Sequence, residues 1–104
     1  MISFDLKDIQ GNQILHFNIK DILSPECLAD LAMPFLDRSR GIILSGRGPI
    51  WLYGYLVHEC HPHPFVAIYD PRLDGAIIVE RHIVNAPVVG SIISIPELKE
   101  VFRA

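Results

Sequence analysis

The fold is decided by the stretch GIILSGRGPIWLYGYLVHE, residues 41–59, and by FVAIY, residues 65–69, which follows it. Residues 41–45 and 65–69 are short and almost continuously apolar, which is typical of strands that are covered on both faces, as in a parallel sheet. Between them, a glycine-rich turn precedes an apolar segment, residues 50–59, whose proline start favours a helix. A strand, a turn, a helix and a second strand form a βαβ unit, so this region predicts an α/β fold.

The helix predicted at residues 50–59 is apolar on nearly all sides, so we expect it to be enclosed by its own domain or covered by a second subunit. Pro62 and Pro64 end it, and His61 leaves the helical conformation because it precedes a proline. The remaining carboxyl-terminal elements are predicted as a turn at residues 70–75, strands at residues 76–80 and 88–95, and a short helix that opens at Pro96.

The amino-terminal region predicts a β-hairpin and a helix. Polar and apolar residues alternate on both sides of a turn at residues 10–13, and His16 falls mid-strand as an ordinary half-exposed residue. Ser24 is a typical helix cap, followed by a proline and by an apolar face that runs to Phe35, and Pro34 closes or bends the helix. The sequence thus predicts one minimal Rossmann-like α/β domain over residues 1–104, with a mixed sheet, an N-terminal β-hairpin and flanking helices.

The composition restricts the function classes. Of the 104 residues, 50% are hydrophobic, which excludes a disordered chain and suits one domain. Nine basic against twelve acidic residues give a net charge of −3, so a nucleic-acid site must be a local patch, and we expect no DNA partner. No apolar run reaches the roughly 18 residues of a membrane span, so no membrane partner is expected. Two cysteines without metal-type spacing fit a reducing cytoplasm.

The turn after the first parallel strand is a candidate anion site, formed by Ser45, Gly46, Arg47 and Gly48. It lies at the carboxyl end of a strand and the amino end of a helix, where open α/β sheets bind ligands. Glycines allow a phosphate to approach the backbone, and an arginine matches a phosphate bidentately. The sequence is neither the dinucleotide nor the Walker motif, so a tight turn with a solvated arginine is the alternative.

A second candidate site combines imidazoles with a charged pair. Four of the five histidines fall in one quarter of the chain: His58, His61, His63 and His82. Imidazole with the carboxylate of Asp70, which ends the next strand, is a ligand set for manganese, iron or zinc, and we expect these groups to lie at one edge of the sheet. Arg72 then stabilises charge on a phosphate. Alternatively, Asp70 caps its turn and pairs with Arg72, and the histidines are solvated or hydrogen-bonded.

The block GRGPIWLYG at residues 46–54, with His58, His61-Pro62, YDPRL at residues 69–73 and Gly75-Ala76, resembles the CRISPR-associated Csx3 family. These small proteins of the CRISPR-associated Rossmann-fold (CARF) superfamily are ring nucleases of type III CRISPR antiviral systems, which degrade the messenger cyclic tetra-adenylate. The resemblance implies a homodimer whose ligand is held between two dimers, giving a ligand-bridged tetramer or filament with one face binding and the opposite face cutting. It also implies manganese-dependent removal of adenylates from RNA 3′ ends.

Roles for individual residues follow from the resemblance. Ser45, Gly46, Arg47 and Gly48 correspond to the binding loop, and His61, Asp70 and Arg72 to the catalytic group. Metal contacts would come from Asp70 and His61, then from His58 or His82, whereas His63 stays a loop residue. The sequence therefore predicts a cytoplasmic, manganese-assisted phosphodiesterase. Two rivals are a binding module that sequesters the messenger uncut and an interaction protein that oligomerises through residues 50–57.

Overall fold

A computed structural model describes residues 1–103, and it shows an α/β protein built on one six-stranded mixed sheet. The strands lie side by side in chain order: β1 (Ile2–Ile9), β2 (Asn12–Ile19), β3 (Ile42–Ser45), β4 (Phe65–Asp70), β5 (Gly75–Arg81) and β6 (Ile92–Ser94). The helices are a 3-10 helix (Pro25–Asp30), α1 (Ile50–Glu59) and α2 (Leu98–Arg103). The predicted minimal Rossmann-like α/β class is confirmed.

The strand directions explain where a ligand site can form. β2, β3 and β4 are parallel, whereas β1, β5 and β6 pair antiparallel with their neighbours. β1 and β2 form the predicted hairpin, turned at Gln10 (φ 53°) and Gly11 (φ 79°), and such a turn suits the twist of paired strands. We call the side at which β3 and β4 end the carboxyl edge of the sheet, and the side at which they begin the amino edge.

Two apolar layers cover the sheet. On one face, α1 buries Leu52 and Leu56 against β2, β3 and β4. On the other face, α2 buries Leu98 over a cluster that includes Tyr69 of β4. The outer side of α1 remains open, with Ile50 89% exposed, so within this chain the helix is covered on one face and not all round.

Cys60 follows α1 and belongs to the buried layer beneath that helix. Burial, which disfavours a charged thiolate, raises the pKa of this thiol to about 11. Cys27, on the 3-10 helix, is partly exposed. Both cysteines are free, and Cys60 is a small buried hydrophobic residue.

Two predicted elements are wrong in extent. The helix expected to reach Phe35 is a 3-10 helix that ends at Asp30, and Phe35 is 91% exposed rather than part of an apolar face. Pro34 explains the difference, because it cannot donate a helical hydrogen bond and forces the preceding residue into an extended conformation. The last strand, expected over residues 88–95, is limited to Ile92–Ser94.

Among the described residues, no helix combines the length and apolar character that crossing a bilayer requires. The longest, α1, has 10 residues, about half the number that spans the hydrocarbon core.

Candidate functional site

The carboxyl edge of the sheet holds a hollow of about 390 Å³. The loop after β3 contributes Gly46, Arg47 and Gly48, and the turn after β4 contributes Asp70 and Arg72. Residues from two separately predicted sites therefore share one hollow. Its position, beyond the carboxyl ends of two parallel strands, is where open α/β sheets bind ligands.

Packing against β2 fixes the backbone of the loop. Gly46 has φ +141°, and a Cβ atom there would lie 2.6 Å from the carbonyl oxygen of Phe17. A Cβ atom on Gly48 would lie 2.7 Å from the Phe17 ring. The Tyr53 hydroxyl donates a hydrogen bond to the Gly46 carbonyl oxygen at 2.6 Å. Both glycines are therefore required by the close approach of the loop to Phe17, independently of any ligand.

Ser45, the first residue of the predicted binding loop, is the last residue of β3 and is fully buried. Its hydroxyl lies 3.0 Å from Nδ1 of His16, its register partner on β2. His16 is only 4% exposed, so the prediction of an ordinary half-exposed strand residue is wrong. Burial lowers the pKa of His16 below its ordinary value of 6.5, although the nearby Asp5 acts in the opposite direction.

Arg47 is the exposed cation of the loop. Its guanidinium carbon lies 5.5 Å from the centre of the Phe102 ring, which lines the hollow from α2. α1 begins shortly after, at Ile50, and its cap residue Pro49 forms no side-chain hydrogen bond to the first turn. Free backbone N–H groups at a helix start attract anions, as does the guanidinium, so this side of the hollow is electropositive.

Asp70 and Arg72 form a closed pair on the other side of the hollow. The carboxylate accepts hydrogen bonds from the Arg72 backbone N–H at 2.9 Å and from its guanidinium Nη2 at 3.0 Å. Hydrogen bonding with Arg72 holds the pKa of Asp70 below its ordinary value. The turn cap and the ion pair that the sequence left as alternatives are both present. An ionised Asp70 orients the guanidinium of Arg72, whose side chain is 88% exposed.

A cluster of metal-binding type lies at the amino edge, formed by His61, Glu80 and His82, with ligand atoms within 4.8 Å of one another. His82 Nε2 lies 2.9 Å from Glu80 Oε1, and His61 Nδ1 lies 3.5 Å from the same oxygen. We call these three residues the imidazole–carboxylate cluster. Two imidazoles and a carboxylate form a donor set that suits manganese or iron with open coordination positions, so the residues fit the predicted metal.

The structure separates Asp70 from the imidazoles. His61 precedes β4 and Asp70 ends it, so they lie at opposite edges of the sheet. Five residue steps of roughly 3.3 Å place the two ends of β4 about 17 Å apart, far beyond the reach of one metal ion. The expectation that Asp70 shares one edge with His61 is therefore not met within one chain, because the strand that connects them also separates them.

The other two histidines lie outside the imidazole–carboxylate cluster. His58 is exposed on the last turn of α1. His63 is 2% exposed, and its Nδ1 lies 2.8 Å from the Arg40 carbonyl oxygen, so it fixes the loop before β4. His63 is thus a structural loop residue, in agreement with the sequence interpretation.

Sequence reasoning missed four residues of these two regions. Glu80 could have been found, because it ends the predicted strand at residues 76–80 and lies two residues before His82, a spacing that places side chains on one face of an extended chain. Tyr53 lies on the helix predicted at residues 50–59, which was expected to be enclosed or covered by a second subunit, and neither His16 nor Phe102 was a candidate site residue. Their positions depend on which strands and helices become neighbours, which the local sequence does not show.

Comparisons with known proteins identify a family and a relative of this chain. A family model described as "CRISPR-associated protein (Cas_csx3)" matches residues 16–94 of the chain. The chain is also 42% identical over 93 residues to an uncharacterized protein of Aquifex aeolicus (strain VF5), an alignment that covers 85% of this chain and 84% of the relative. The matched residues include the loop after β3, the turn after β4 and the imidazole–carboxylate cluster.

Proposed function

The chain belongs to the CRISPR-associated Csx3 family, and from this membership we propose that it is a ring nuclease that cleaves cyclic tetra-adenylate with the assistance of manganese. The supporting observation is the hollow at the carboxyl edge, where Arg47 and Arg72 face one space of about 390 Å³ from two different loops. A cyclic nucleotide of four phosphates needs concentrated positive charge, which a protein of net charge −3 supplies only locally.

The proposed ligand and the symmetry of a homodimer are compatible. Cyclic tetra-adenylate has approximate four-fold symmetry, so a two-fold homodimer offers it two equivalent half-sites. In each half-site Arg47 is available for a bidentate contact with a phosphate, and the start of α1 adds backbone N–H groups. We therefore assign binding to the loop of residues 46–48, with Phe102 holding Arg47 in place.

Arg72 is the proposed stabiliser of the charge that develops on the phosphate during cleavage. Its guanidinium is oriented by Asp70, whose carboxylate accepts two of its N–H groups. Asp70 therefore acts as a positioning residue, and its lowered pKa makes it a weak base for proton abstraction.

The imidazole–carboxylate cluster is the proposed metal site. His61, Glu80 and His82 would hold manganese, which supplies Lewis-acid stabilisation of a phosphate and activation of the attacking oxygen. That oxygen is either a ribose 2′-hydroxyl or a water molecule: products ending in a 2′,3′-cyclic phosphate indicate the ribose, and a plain terminal phosphate indicates water. His61 is the most exposed member of the cluster, at 64%, and can alternatively exchange a proton with substrate.

The opposite positions of the two sites support cleavage between copies of the chain. A ligand bound at the carboxyl edge of one homodimer would meet the amino edge of the next, as a ligand-bridged tetramer or filament requires. Asp70 of one copy and the imidazoles of another would then converge on the same ligand, although they are separated within a single chain. This arrangement matches the division into a binding face and a cutting face that the family resemblance implies.

The test incubates labelled cyclic tetra-adenylate with the purified protein and manganese, and separates the products by chromatography. We expect linear products that disappear when a chelator removes the metal. Intact ligand that elutes with the protein would instead show a binding module that sequesters the messenger. If the protein neither binds nor cleaves the ligand, both functions are contradicted. A short RNA ending in adenylates, run in parallel, tests the proposed 3′ deadenylation.

A further inference from the structure

We propose that His16 is a positioning residue for the binding loop, acting through the Ser45 hydroxyl, and that it makes ligand affinity dependent on pH. This role adds a control on the loop to the proposed function, and the part of it that concerns ligand affinity rests on that function. His16 lies on β2 and Ser45 ends β3, so the pair joins two strands at the point where the loop begins.

The buried geometry selects one arrangement of protons. Ser45 is fully buried, and within residues 1–103 its side chain has His16 Nδ1 as its hydrogen-bonding partner, at 3.0 Å. If Nδ1 accepts from the hydroxyl, both groups are satisfied, and the ring carries its proton on Nε2. If Nδ1 carried the proton, the buried hydroxyl hydrogen would have no acceptor, at a cost typical of an unsatisfied buried donor.

Protonation of His16 therefore reverses the hydrogen bond of the pair. The imidazolium Nδ1–H donates to the Ser45 oxygen, so the Ser45 hydroxyl must turn away and leave its own hydrogen unpaired in the protein interior. The next residue, Gly46, has φ +141° and contacts Phe17 closely, so the loop has little freedom to compensate. A shift at Ser45 is then passed to Arg47, two residues further along the chain.

The charged groups around His16 come from three elements. Asp5 and Lys7 of β1 and Glu100 of α2 line a shallow cavity together with His16, and Arg47 lines a second cavity that His16 also borders. Desolvation outweighs the attraction of Asp5, so His16 is neutral at pH 7 and above. Affinity is thus expected to be constant above about pH 6.5 and to fall as the pH drops through the lowered pKa of His16.

The first test needs no ligand and is a ¹⁵N-imidazole NMR titration of the free protein. We expect His16 to carry its proton on Nε2 at pH 7 and to titrate below 6.5. In Ser45→Ala its pKa should rise, because the hydrogen bond that favours the neutral ring is lost. A proton on Nδ1, or a pKa that Ser45→Ala leaves unchanged, would overturn the proposal.

The second test measures the affinity for cyclic tetra-adenylate without metal between pH 5.5 and 8. We expect a progressive loss of affinity for the wild type toward the acid end and a flat profile for His16→Asn, whose amide can accept from Ser45 at the position of Nδ1. His63→Asn, a change at another buried histidine, should keep the wild-type profile. Tighter binding in acid, as expected for an imidazolium that attracts phosphate, would contradict the proposal.

The two tests separate the two hypotheses. If the wild type binds no cyclic tetra-adenylate at any pH, the proposed function fails, and the NMR titration alone decides whether His16 controls Ser45. If His16→Asn does not fold, His16→Gln and Ser45→Ala serve in its place, and both should flatten the acid loss of affinity.

Discussion

The Asp70 carboxylate accepts hydrogen bonds from both the backbone and the guanidinium of Arg72, at distances of 2.9 to 3.3 Å. This contact caps the turn after β4 and at the same time holds an arginine at the rim of the hollow. A residue pair for which the sequence left a structural and a chemical role open is therefore placed where it can serve both.

Asp70→Asn should reduce cleavage of cyclic tetra-adenylate at least tenfold and change its affinity less than threefold. An asparagine oxygen can still cap the turn, but it loses the charge that orients the guanidinium of Arg72. Single-turnover rates and equilibrium binding, measured on the same samples, separate these effects. Asp74→Asn, in the same turn, is the matched control and should retain the wild-type rate; full activity of Asp70→Asn would refute the assignment.

Arg47→Ala should weaken binding of cyclic tetra-adenylate about 10- to 100-fold, because a hydrogen bond to a charged group contributes about 1.5–3 kcal/mol. Fluorescence anisotropy with a labelled ligand measures the change. Arg38→Ala removes another exposed arginine, which precedes β3 and does not line the hollow at the carboxyl edge, and should leave the affinity unaltered. Equal affinities for the two variants would exclude the loop from the site.

Glu80→Gln should remove the stabilisation of the fold by manganese. A metal that binds only the folded chain raises its melting temperature, and loss of the carboxylate leaves two imidazoles as ligands. Differential scanning fluorimetry with increasing manganese detects the shift. Glu59→Gln neutralises an exposed carboxylate at the end of α1 and should respond like the wild type. An undiminished shift in Glu80→Gln would place the metal elsewhere.

Gly46→Ala and Gly54→Ala should change stability in opposite directions. Gly46 has φ +141° and no space for a Cβ atom, so alanine there is expected to cost several kcal/mol. Gly54 lies in α1 with no atom within 4 Å of an added Cβ, so alanine should stabilise the helix by about 0.5–1 kcal/mol. Chemical denaturation of both variants provides the comparison, and a stable Gly46→Ala protein would show that the loop is not fixed by Phe17.

A mixture of Arg47→Ala and Glu80→Gln should recover activity that each variant lacks alone. Arg47→Ala keeps an intact metal site, and Glu80→Gln keeps an intact binding loop. If the binding edge of one copy meets the metal edge of another, random pairing at equal mixing brings the two intact edges together at one interface in four, so about a quarter of the wild-type rate is expected. The wild-type rate per subunit should likewise fall on dilution. An inactive mixture, or a rate independent of dilution, would indicate that each homodimer is self-contained.

Much of the fold follows from local sequence. The apolar strands on either side of α1 and the turn at Gln10 and Gly11 were predictable from periodicity and turn chemistry. The extent of the helix before Pro34 was not, because its apolar spacing competes with the effect of the proline on the backbone. Local patterns indicate the presence of an element more reliably than its bounds.

The candidate site was predictable in part. Arg47 and its glycines were found from their place after a strand, and Asp70 with Arg72 from their turn. That these two groups share a hollow, and that His61 does not join them, depends on the direction of β4. The role of His16 depends on the parallel register between β2 and β3, which no short motif records.

The unequal burial of the two cysteines has a practical consequence. Cys60 is sealed beneath α1 and keeps its proton at neutral pH, whereas Cys27 is reachable on the 3-10 helix. Maleimide dyes should therefore attach at Cys27 in the native molecule, which belongs neither to the hollow at the carboxyl edge nor to the imidazole–carboxylate cluster. The natural chain thus offers a ready attachment point for fluorescence experiments on assembly, without engineered substitutions.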